Sequence, residues 1–314
     1  MRGNAALMVG AGMSRNATPR LCSIPQFPTW GELMRPIIDR LYPIASTAED
    51  VRDRESIRAT AISSALRLAQ EFVAAFGEVE IESLLRTVVP DEDYAPSDLH
   101  KRLLRLRWAD VFTTNWDTLL ERCADEAMPG WYELVRTPAD LPLCPRPRIV
   151  KLHGTLGSVR PYILTEEHFR TYPGRFAPFV NTVRQSIMEN VLCLIGFSGD
   201  DPNFLQWSGW VRDQLGPQAP FIYLVSLAPI RSAHRAVLME RRVVPIDLSV
   251  IFPPDTHDWQ PKALEWFLIN LEAGRPRDPR EWPSLALQPP APPTRPMTGC
   301  QYTIHDANHA EVRL

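Results

Sequence analysis

Val111-Phe-Thr-Thr-Asn-Trp-Asp117 has the pattern of a short apolar strand that ends in polar side chains. Three other segments have the same form, an apolar run followed at once by glycine or polar residues: Leu7-Met-Val-Gly-Ala-Gly-Met-Ser14, Ile149-Val-Lys-Leu-His-Gly154 and Val191-Leu-Cys-Leu-Ile-Gly-Phe-Ser198. Open α/β folds bind their ligands at the carboxyl ends of parallel strands. The four segments therefore predict one site at the carboxyl edge of a parallel sheet.

Strands alternate with helices along the rest of the chain. Apolar residues at helical spacing predict a mostly helical region over about residues 30–107, and helices after the later strands. Further strands are predicted at Phe221–Val225 and Val243–Asp247, with a short one at Tyr162–Leu164. This alternation is typical of a doubly wound parallel sheet. We expect an α/β, Rossmann-like fold of about six strands, with residues 30–107 as an inserted helical module.

The chain of 314 residues has room for one large domain or two modest ones. We expect one catalytic domain over residues 1–285. Beyond it, Gln288-Pro-Pro-Ala-Pro-Pro-Thr-Arg-Pro296 predicts a stiff proline-rich linker. Residues 286–314 are therefore assigned to a linker and tail, with a disordered segment, a docking peptide and the start of a further domain as alternatives.

Charge and cysteine content exclude several classes of protein. The formal net charge is −3, so no global basic field favours direct binding of nucleic acid. No run of about 18 apolar residues is present, so no membrane span is expected. The five cysteines contain no C-x-x-C pair, which excludes a zinc ribbon and favours reduced thiols in a cytoplasmic protein.

Gly10-Ala11-Gly12-Met13-Ser14 forms a glycine turn between a strand and a helix start. Its glycines would let backbone N–H groups approach a pyrophosphate, and the Ser14 hydroxyl would add a donor. The alternative is a plain tight turn, because short glycine motifs have low specificity. The segment departs from G-x-G-x-x-G, and no strand with a terminal acid follows about 20 residues later. A hydride-transferring dehydrogenase is therefore disfavoured.

The residues that follow the second strand are candidate ligand contacts: Thr113, Thr114, Asn115 and Asp117. An asparagine amide both donates and accepts hydrogen bonds, whereas an ionised aspartate only accepts them. The alternative for these residues is a helix N-cap, with Asn115 or Thr114 as the capping residue.

His153 follows the third strand, and Gly154 leaves room beside its ring. A histidine in this position suits a general base near neutral pH; the alternative is a structural histidine. Lys151 is expected to be solvated, or salt-bridged at the edge of the sheet.

The fourth strand is followed by Gly196-Phe-Ser198-Gly-Asp-Asp201, which again combines glycine with a hydroxyl. We expect Gly196 and Ser198 to face a ligand, with ribose or adenine as the candidate contact. Asp201 precedes Pro202, which is a helix-start signal, and is expected to cap that helix.

Together and in this order, the four motifs resemble the sirtuin-like superfamily over about residues 5–250, and its bacterial NAD-consuming branch more closely than its deacetylases. The glycine turn looks like the family's NAD loop. Thr114-Asn-Trp-Asp117 looks like the nicotinamide-pocket motif, with Thr114 where the deacetylases usually have glutamine. Lys151-Leu-His-Gly154 looks like the catalytic-histidine motif, and Gly196-Phe-Ser198 like the motif that holds the adenosine ribose.

Two departures separate this chain from the deacetylases. Their four-cysteine zinc module cannot be built here, so zinc is not expected. Where they have an Asp-Phe pair after the glycine loop, this chain has Ile24-Pro-Gln-Phe27, with Gln26 at the acidic position. Family members without the zinc module resemble NAD hydrolases that bacteria use against phage by depleting NAD.

The resemblance implies an NAD hydrolase that cleaves the nicotinamide–ribose bond to give nicotinamide and ADP-ribose, or cyclic ADP-ribose. NAD is then the substrate, and its ribose passes through an oxocarbenium-like state. Asn115 would orient the water or the ribose hydroxyls, His153 would be the general base, and Asp117 would fix the carboxamide or its own loop. A protein deacylase, an ADP-ribosyltransferase and a non-catalytic sensor of NAD or ADP-ribose are the alternatives.

Uncontrolled loss of NAD would kill the host cell, so an enzyme of this kind requires an off state. The resemblance therefore implies an antiviral defence effector that acts by abortive infection. Its activity would be controlled by homo-oligomerisation or by a protein partner, such as a translocase ATPase or an Argonaute-like protein.

Overall fold

The structure, a computed structural model, describes residues 5–21, 24–44, 47–59, 61–252 and 258–274. The predicted linker and tail over residues 286–314 lie outside this part. The strands are β1 (Ala5–Val9), β2 (Thr18–Pro19), β3 (Tyr94–Ala95), β4 (Asp110–Thr113), β5 (Glu133–Val135), β6 (Arg148–Lys151), β7 (Val191–Ile195), β8 (Ile222–Ser226) and β9 (Val243–Asp247).

The helices are α1 (Ala11–Ser14), α2 (Trp30–Leu41), α3 (Glu49–Arg58), α4 (Ile62–Phe76), α5 (Glu78–Val88), α6 (Asp98–Arg105), α7 (Leu119–Ala127), α8 (Glu166–Arg175), α9 (Ala177–Glu189), α10 (Pro202–Leu215), α11 (Ser232–Glu240) and α12 (Trp259–Glu272). Short 3₁₀ turns lie at Pro138–Asp140, Gly216–Gln218 and Leu248–Val250. Among these described helices, none combines the length and apolar character that crossing a membrane requires.

Seven strands form one sheet in the order β5-β6-β4-β1-β7-β8-β9, and every neighbouring pair in it is parallel. Two apolar clusters pack on its opposite faces, each built from strands and helices. The predicted doubly wound α/β fold is therefore confirmed. β2 and β3 form a separate antiparallel pair.

The central strand β1 shows why this sheet is covered on both sides. Ala6 and Met8 pack into one cluster, whereas Leu7 and Val9 pack into the other. Successive side chains of a strand point to opposite faces. A strand that is apolar at every position therefore requires helices on both faces, as parallel sheets have.

The structure refines one detail of the sequence-based fold prediction and contradicts another. The sheet has seven strands rather than about six, because β5 has only three residues, of which Glu133 is exposed, and is too short to show a period. Tyr162–Leu164 is buried but lies in an irregular segment rather than in a strand. A short apolar run does not by itself distinguish a strand from other buried structure.

Helices α2 to α5 lie between β1 and β4 and have an apolar cluster of their own. Helix α2 begins with a capping box, in which Thr29 and Glu32 satisfy each other's backbone N–H groups. The cluster also contains Leu119, Leu156 and Tyr162, which follow β4 and β6. These helices therefore pack against the carboxyl edge of the sheet, whereas α6 packs against α7 and α12. The predicted domain boundaries stay a prediction.

Candidate functional site

A cavity of about 310 Å³ lies at the carboxyl edge of the sheet, beside the ends of β1, β4, β6 and β7. All but one of the predicted site residues line it: Gly10, Ala11, Gly12, Ser14, Thr114, Asn115, Asp117, His153, Gly196 and Ser198. The exception is Thr113, whose hydroxyl donates to the Val9 carbonyl at 3.0 Å and accepts from the Asn115 N–H. Thr113 therefore joins strand ends beneath the cavity. The roles assigned to these residues stay predictions.

The glycine turns after β1 and β7 are packed directly against each other. The Gly12 N–H donates to the Gly196 carbonyl at 2.9 Å. Gly196 has a φ of +63°, and a Cβ added to it would lie 2.3 Å from the Met13 nitrogen. A Cβ on Gly10 would lie 2.4 Å from the Gly196 carbonyl oxygen. Only glycine fits at this junction, and the resulting backbone surface lets a ligand approach the main chain closely.

Hydrogen bonds hold the polar side of the cavity in place. The Ser14 hydroxyl donates to Asp117 Oδ2 at 2.7 Å and accepts from the Asn115 amide at 3.0 Å. Asp117 Oδ1 also accepts from the Leu119 N–H at 3.2 Å, and burial raises the pKa of this carboxyl. The N-cap of α7 is Thr118, so neither Thr114 nor Asn115 is its capping residue. The Asn115 amide is instead fixed across the cavity by Ser14.

A buried ion pair supports the loop that carries Asn115. Lys151 is 1% exposed and lies 3.1 Å from a carboxylate oxygen of Glu121, which is also buried. The Lys151 ammonium also donates to the backbone carbonyl of Asp117. The expectation of a solvated Lys151 is wrong, and its alternative, a salt bridge, is what the structure contains. Lys151 thereby fixes the backbone at Asp117, and Glu121 pairs with its charge.

The imidazole of His153 is enclosed by aromatic rings. Phe169 and Tyr172 pack edge-on against it, with centroid distances of 5.4 and 5.5 Å. Its Nε2 lies 3.2 Å from the Asn203 amide, near the start of α10. Burial, with a smaller contribution from His168, lowers the pKa of His153 to about 3. The imidazole is therefore neutral at physiological pH and retains an unprotonated ring nitrogen.

Asp201 brings a second buried carboxyl to the cavity. Its side chain accepts from the Phe204 N–H at 3.0 Å at the start of α10, so the predicted cap is confirmed. Burial raises the pKa of this carboxyl to about 6, although hydrogen bonds from the backbone oppose the shift. Asp201 therefore changes charge close to physiological pH within the cavity wall.

The remaining wall contains residues that the sequence did not single out: Arg15, Phe27, Pro28, Thr29, Trp30, Leu33, Val89, Trp116, Ile163 and Phe197. The rings of Trp30 and Trp116 lie 6.1 Å apart in an edge-on arrangement. Several of these residues come from the segment leading into α2 or from α2 itself. Their contribution depends on how α2 packs over the sheet edge, for which the sequence contains no local signal.

A second cavity of about 630 Å³ adjoins the first. It is bounded by the turns after β7 and β8 and by the start of α12. The two cavities share Gly12, Arg15, Gly196, Phe197 and Ser198. The glycine turn after β7 and part of the turn after β1 therefore lie between the two cavities.

Comparison with known families identifies the domain. Residues 109–246 match the family model described as the SIR2-like domain. This part of the chain, less than half of its length, is similar to the SIR2-like domain. The resemblance to the sirtuin-like family is thereby confirmed. The matched segment includes Asn115, His153 and Gly196, whereas β1, the glycine turn and helices α2 to α5 precede it.

Curated proteins similar to this SIR2-like chain have names that refer to NAD hydrolysis and to defence. The NAD(+) hydrolase ThsA of Acinetobacter baumannii is 25% identical over 202 residues, covering 64% of this chain and 37% of that protein. Defense-associated sirtuin 2 of Bacillus subtilis is 20% identical over 263 residues, covering 82% and 24%. ThsA of Bacillus cereus is 23% identical, covering 65% and 39%. The chain spans two-fifths or less of the length of these relatives.

A solved structure of a SIR2 homolog–NAD complex is also similar to this SIR2-like chain. It covers 86% of this chain and 90% of its own, with 13% identity and a TM-score of 0.44. The fold described above rests on the strand order and the parallel register instead.

Proposed function

We propose that this protein hydrolyses NAD at the bond between nicotinamide and ribose. The observation that carries the proposal is one cavity whose lining combines a glycine turn with the Asn115 amide and the neutral imidazole of His153. The names of the relatives, three of them NAD(+) hydrolases, support the same activity. Two adjoining cavities also suit the two halves of a dinucleotide.

The proposed reaction can be followed atom by atom. The bond between C1′ of the ribose and the pyridinium nitrogen breaks, and its electron pair leaves with neutral nicotinamide. C1′ passes through an oxocarbenium-like state, and a water oxygen then bonds to it. The added water loses one proton, for which the neutral ring of His153 is the proposed acceptor, although the burial that lowers its pKa makes it a weaker base than a free imidazole. The Asn115 amide, held by Ser14 at 3.0 Å, orients the water or the ribose hydroxyls.

The electrostatics of the wall favour this substrate. The nicotinamide ring of NAD is cationic, and two buried aspartates, Asp117 and Asp201, line the cavity. Burial raises the pKa of both carboxyls, and a cation bound beside them would favour their ionised forms. Trp30 and Trp116 add aromatic faces, which attract a cation. The same groups stabilise positive charge that develops on the ribose as nicotinamide leaves.

We also propose that the activity serves defence and is held off until it is needed. The support is the name of the Bacillus subtilis relative, Defense-associated sirtuin 2, together with the cost to a cell of losing NAD. An oligomer or a protein partner is the proposed switch. Chromatography of the products distinguishes ADP-ribose from cyclic ADP-ribose.

The test compares nicotinamide release from NAD by the wild-type chain, Asn115→Ala and His153→Ala. Each substitution is expected to lower the rate by about 10²–10⁴-fold, as loss of a positioned catalytic group does. Asn190→Ala is the matched control, because Asn190 is buried, bonds within α9 and lines neither cavity. Release that persists in both site variants, or NAD left intact by the wild type, contradicts the proposal.

A further inference from the structure

Arg15 lies where the two cavities meet and lines both of them. Among the described residues that line either cavity, it is the only arginine or lysine. The acids in the same linings are Asp117, Asp200, Asp201 and Asp258. An anionic group bound at the junction therefore has one fixed cation available to it.

The Arg15 guanidinium bonds to two neutral acceptors and, through Nη1, to one exposed carboxylate, that of Glu32. Nη2 donates to Gln26 Oε1 at 2.8 Å and Nη1 to the Phe27 carbonyl at 2.9 Å, and both of these acceptors are neutral. The nearest carboxylate is that of Glu32 at 3.4 Å, which is 52% exposed. Ion pairs with partners this exposed are weak. A guanidinium in this state is well suited to phosphate oxygens, which its planar fork matches.

We propose that Arg15 recognises the diphosphate of the substrate, and thereby selects nicotinamide dinucleotides over nicotinamide riboside. The choice of nicotinamide compounds rests on the proposed function. The cavity then has a polarity: the buried acids face the cationic ring, and Arg15 faces the anionic diphosphate. Gln26 contributes by being neutral, since a carboxylate there would pair with Arg15 and compete with the phosphates.

The first experiment measures nicotinamide release from NAD, nicotinamide mononucleotide and nicotinamide riboside by the full chain and Arg15→Gln. Loss of a charge-assisted hydrogen bond is expected to lower kcat/KM for NAD by about tenfold or more. The riboside carries no phosphate, so its kcat/KM stays the same, and the mononucleotide is intermediate. Arg20→Gln is the matched control, an exposed arginine on the same segment that lines neither cavity.

Two further substitutions distinguish phosphate recognition by Arg15 from a purely structural role, here called a tether, in which Arg15 only ties two segments together. Arg15 also joins the glycine turn to the Gln26–Phe27 segment, so its loss could act by loosening that segment. Gln26→Glu strengthens the tether but neutralises Arg15, whereas Glu32→Gln weakens the tether but frees the charge. Phosphate recognition predicts that KM for NAD rises in Gln26→Glu and falls in Glu32→Gln. If Arg15 only ties the two segments together, KM for NAD is expected to fall in Gln26→Glu and to rise in Glu32→Gln.

Binding of ADP-ribose, measured by calorimetry, decides the matter without turnover. The dissociation constant is expected to rise about tenfold or more in Arg15→Gln, and its salt dependence to become shallower because one screened ion pair is lost. Equal affinity in both proteins, or equal loss of activity on NAD and riboside, overturns the role of Arg15. A wild-type chain that binds ADP-ribose through Arg15 but releases no nicotinamide overturns the proposed function alone.

Discussion

Asn115 and His153 occupy equivalent positions on neighbouring strands, yet their surroundings are opposite in character. Thr113 of β4 and Lys151 of β6 are a register pair, and each site residue lies two positions further along. The Asn115 amide is held by a hydroxyl. The His153 imidazole is instead packed between the rings of Phe169 and Tyr172.

The difference shows what decides the chemistry at a strand end. The backbone position is the same, so the environment comes from whatever packs over it: Ser14 of α1 over Asn115, and α8 with Asn203 over His153. The polar side keeps an amide oriented by hydrogen bonds. The aromatic side removes water and keeps an imidazole neutral. A water-activating site requires both conditions within one cavity.

Gly196→Ala is expected to have the largest effect, because it breaks the junction that both sides share. Its Cβ would lie 2.3 Å from the Met13 nitrogen at a φ of +63°, which costs about 3 kcal/mol or more in unfolding free energy. The midpoint of thermal unfolding and the rate of nicotinamide release should both fall steeply. Gly199→Ala is the control, since its φ is +80° but its Cβ would meet no atom within 4 Å. Equal losses in the two variants would refute the importance of the contact.

Ser14→Ala removes the hydrogen bonds on the polar side of the cavity and leaves the aromatic contacts of His153 in place. It leaves Asp117 Oδ2 and the Asn115 amide without the partner that joins them, at a cost of about 2 kcal/mol for buried unpaired groups. Nicotinamide release should fall by about 10²-fold, because Asn115 loses its orientation. Ser208→Ala, a buried serine whose hydroxyl bonds within α10, should retain activity. If activity survives Ser14→Ala, Asn115 is positioned by other contacts.

Asn203→Leu tests the aromatic side. It removes the amide 3.2 Å from His153 Nε2 without emptying the space, so kcat should fall by about tenfold while KM for NAD changes little. Asn270→Leu is the control, because Asn270 is equally buried, bonds to the Trp266 carbonyl and lines neither cavity. A rise in KM with kcat unchanged would show that Asn203 acts on binding and not on the imidazole.

The contributions of His153, on the aromatic side of the cavity, and of Asp117, on its polar side, to folding stability should depend on pH with opposite sign. The pKa of His153 is lowered to about 3, so the stability from its neutral ring is present above pH 6.5 and is lost as pH falls through about 3. The pKa of Asp117 is raised, so its contribution is present at low pH and is lost as pH rises through that higher pKa. Thermal unfolding at pH 7.5 and 5.5 tests the first statement. The fall in stability should be smaller in His153→Phe than in wild type, by about 1 kcal/mol.

The strand ends could be predicted because their signal is local. Each apolar run in β1, β4, β6 and β7 stops at the residues that line the cavity. Parallel strands bring those ends to one edge, so the clustering of Ser14, Asn115 and His153 follows from the fold. Thr113 shows that this prediction is accurate only to within about one residue. It is one residue too early, and its hydroxyl bonds across strands instead of facing the cavity.

The tertiary contacts that set the pKa values and the surroundings of the site residues could not be predicted from local sequence. Asn203 and His153 are 50 positions apart, and Phe27 and Trp30 reach the cavity through the packing of α2. Burial of Lys151 depends on Glu121 lying beneath the same loop. No periodicity in the sequence records which helix covers which strand end, so pKa shifts and aromatic walls emerge only from tertiary packing.

The central position of β1 makes the site depend on residues that are far apart in the chain. Residues 5–9 pair with β4 on one side and with β7 on the other, so the pairing of β1 is complete only with a strand that ends at residue 195. The glycine junction likewise joins Gly12 to a residue much later in the chain, Gly196. A chain that stops before residue 196 lacks one half of the glycine junction, against which the turn after β1 packs.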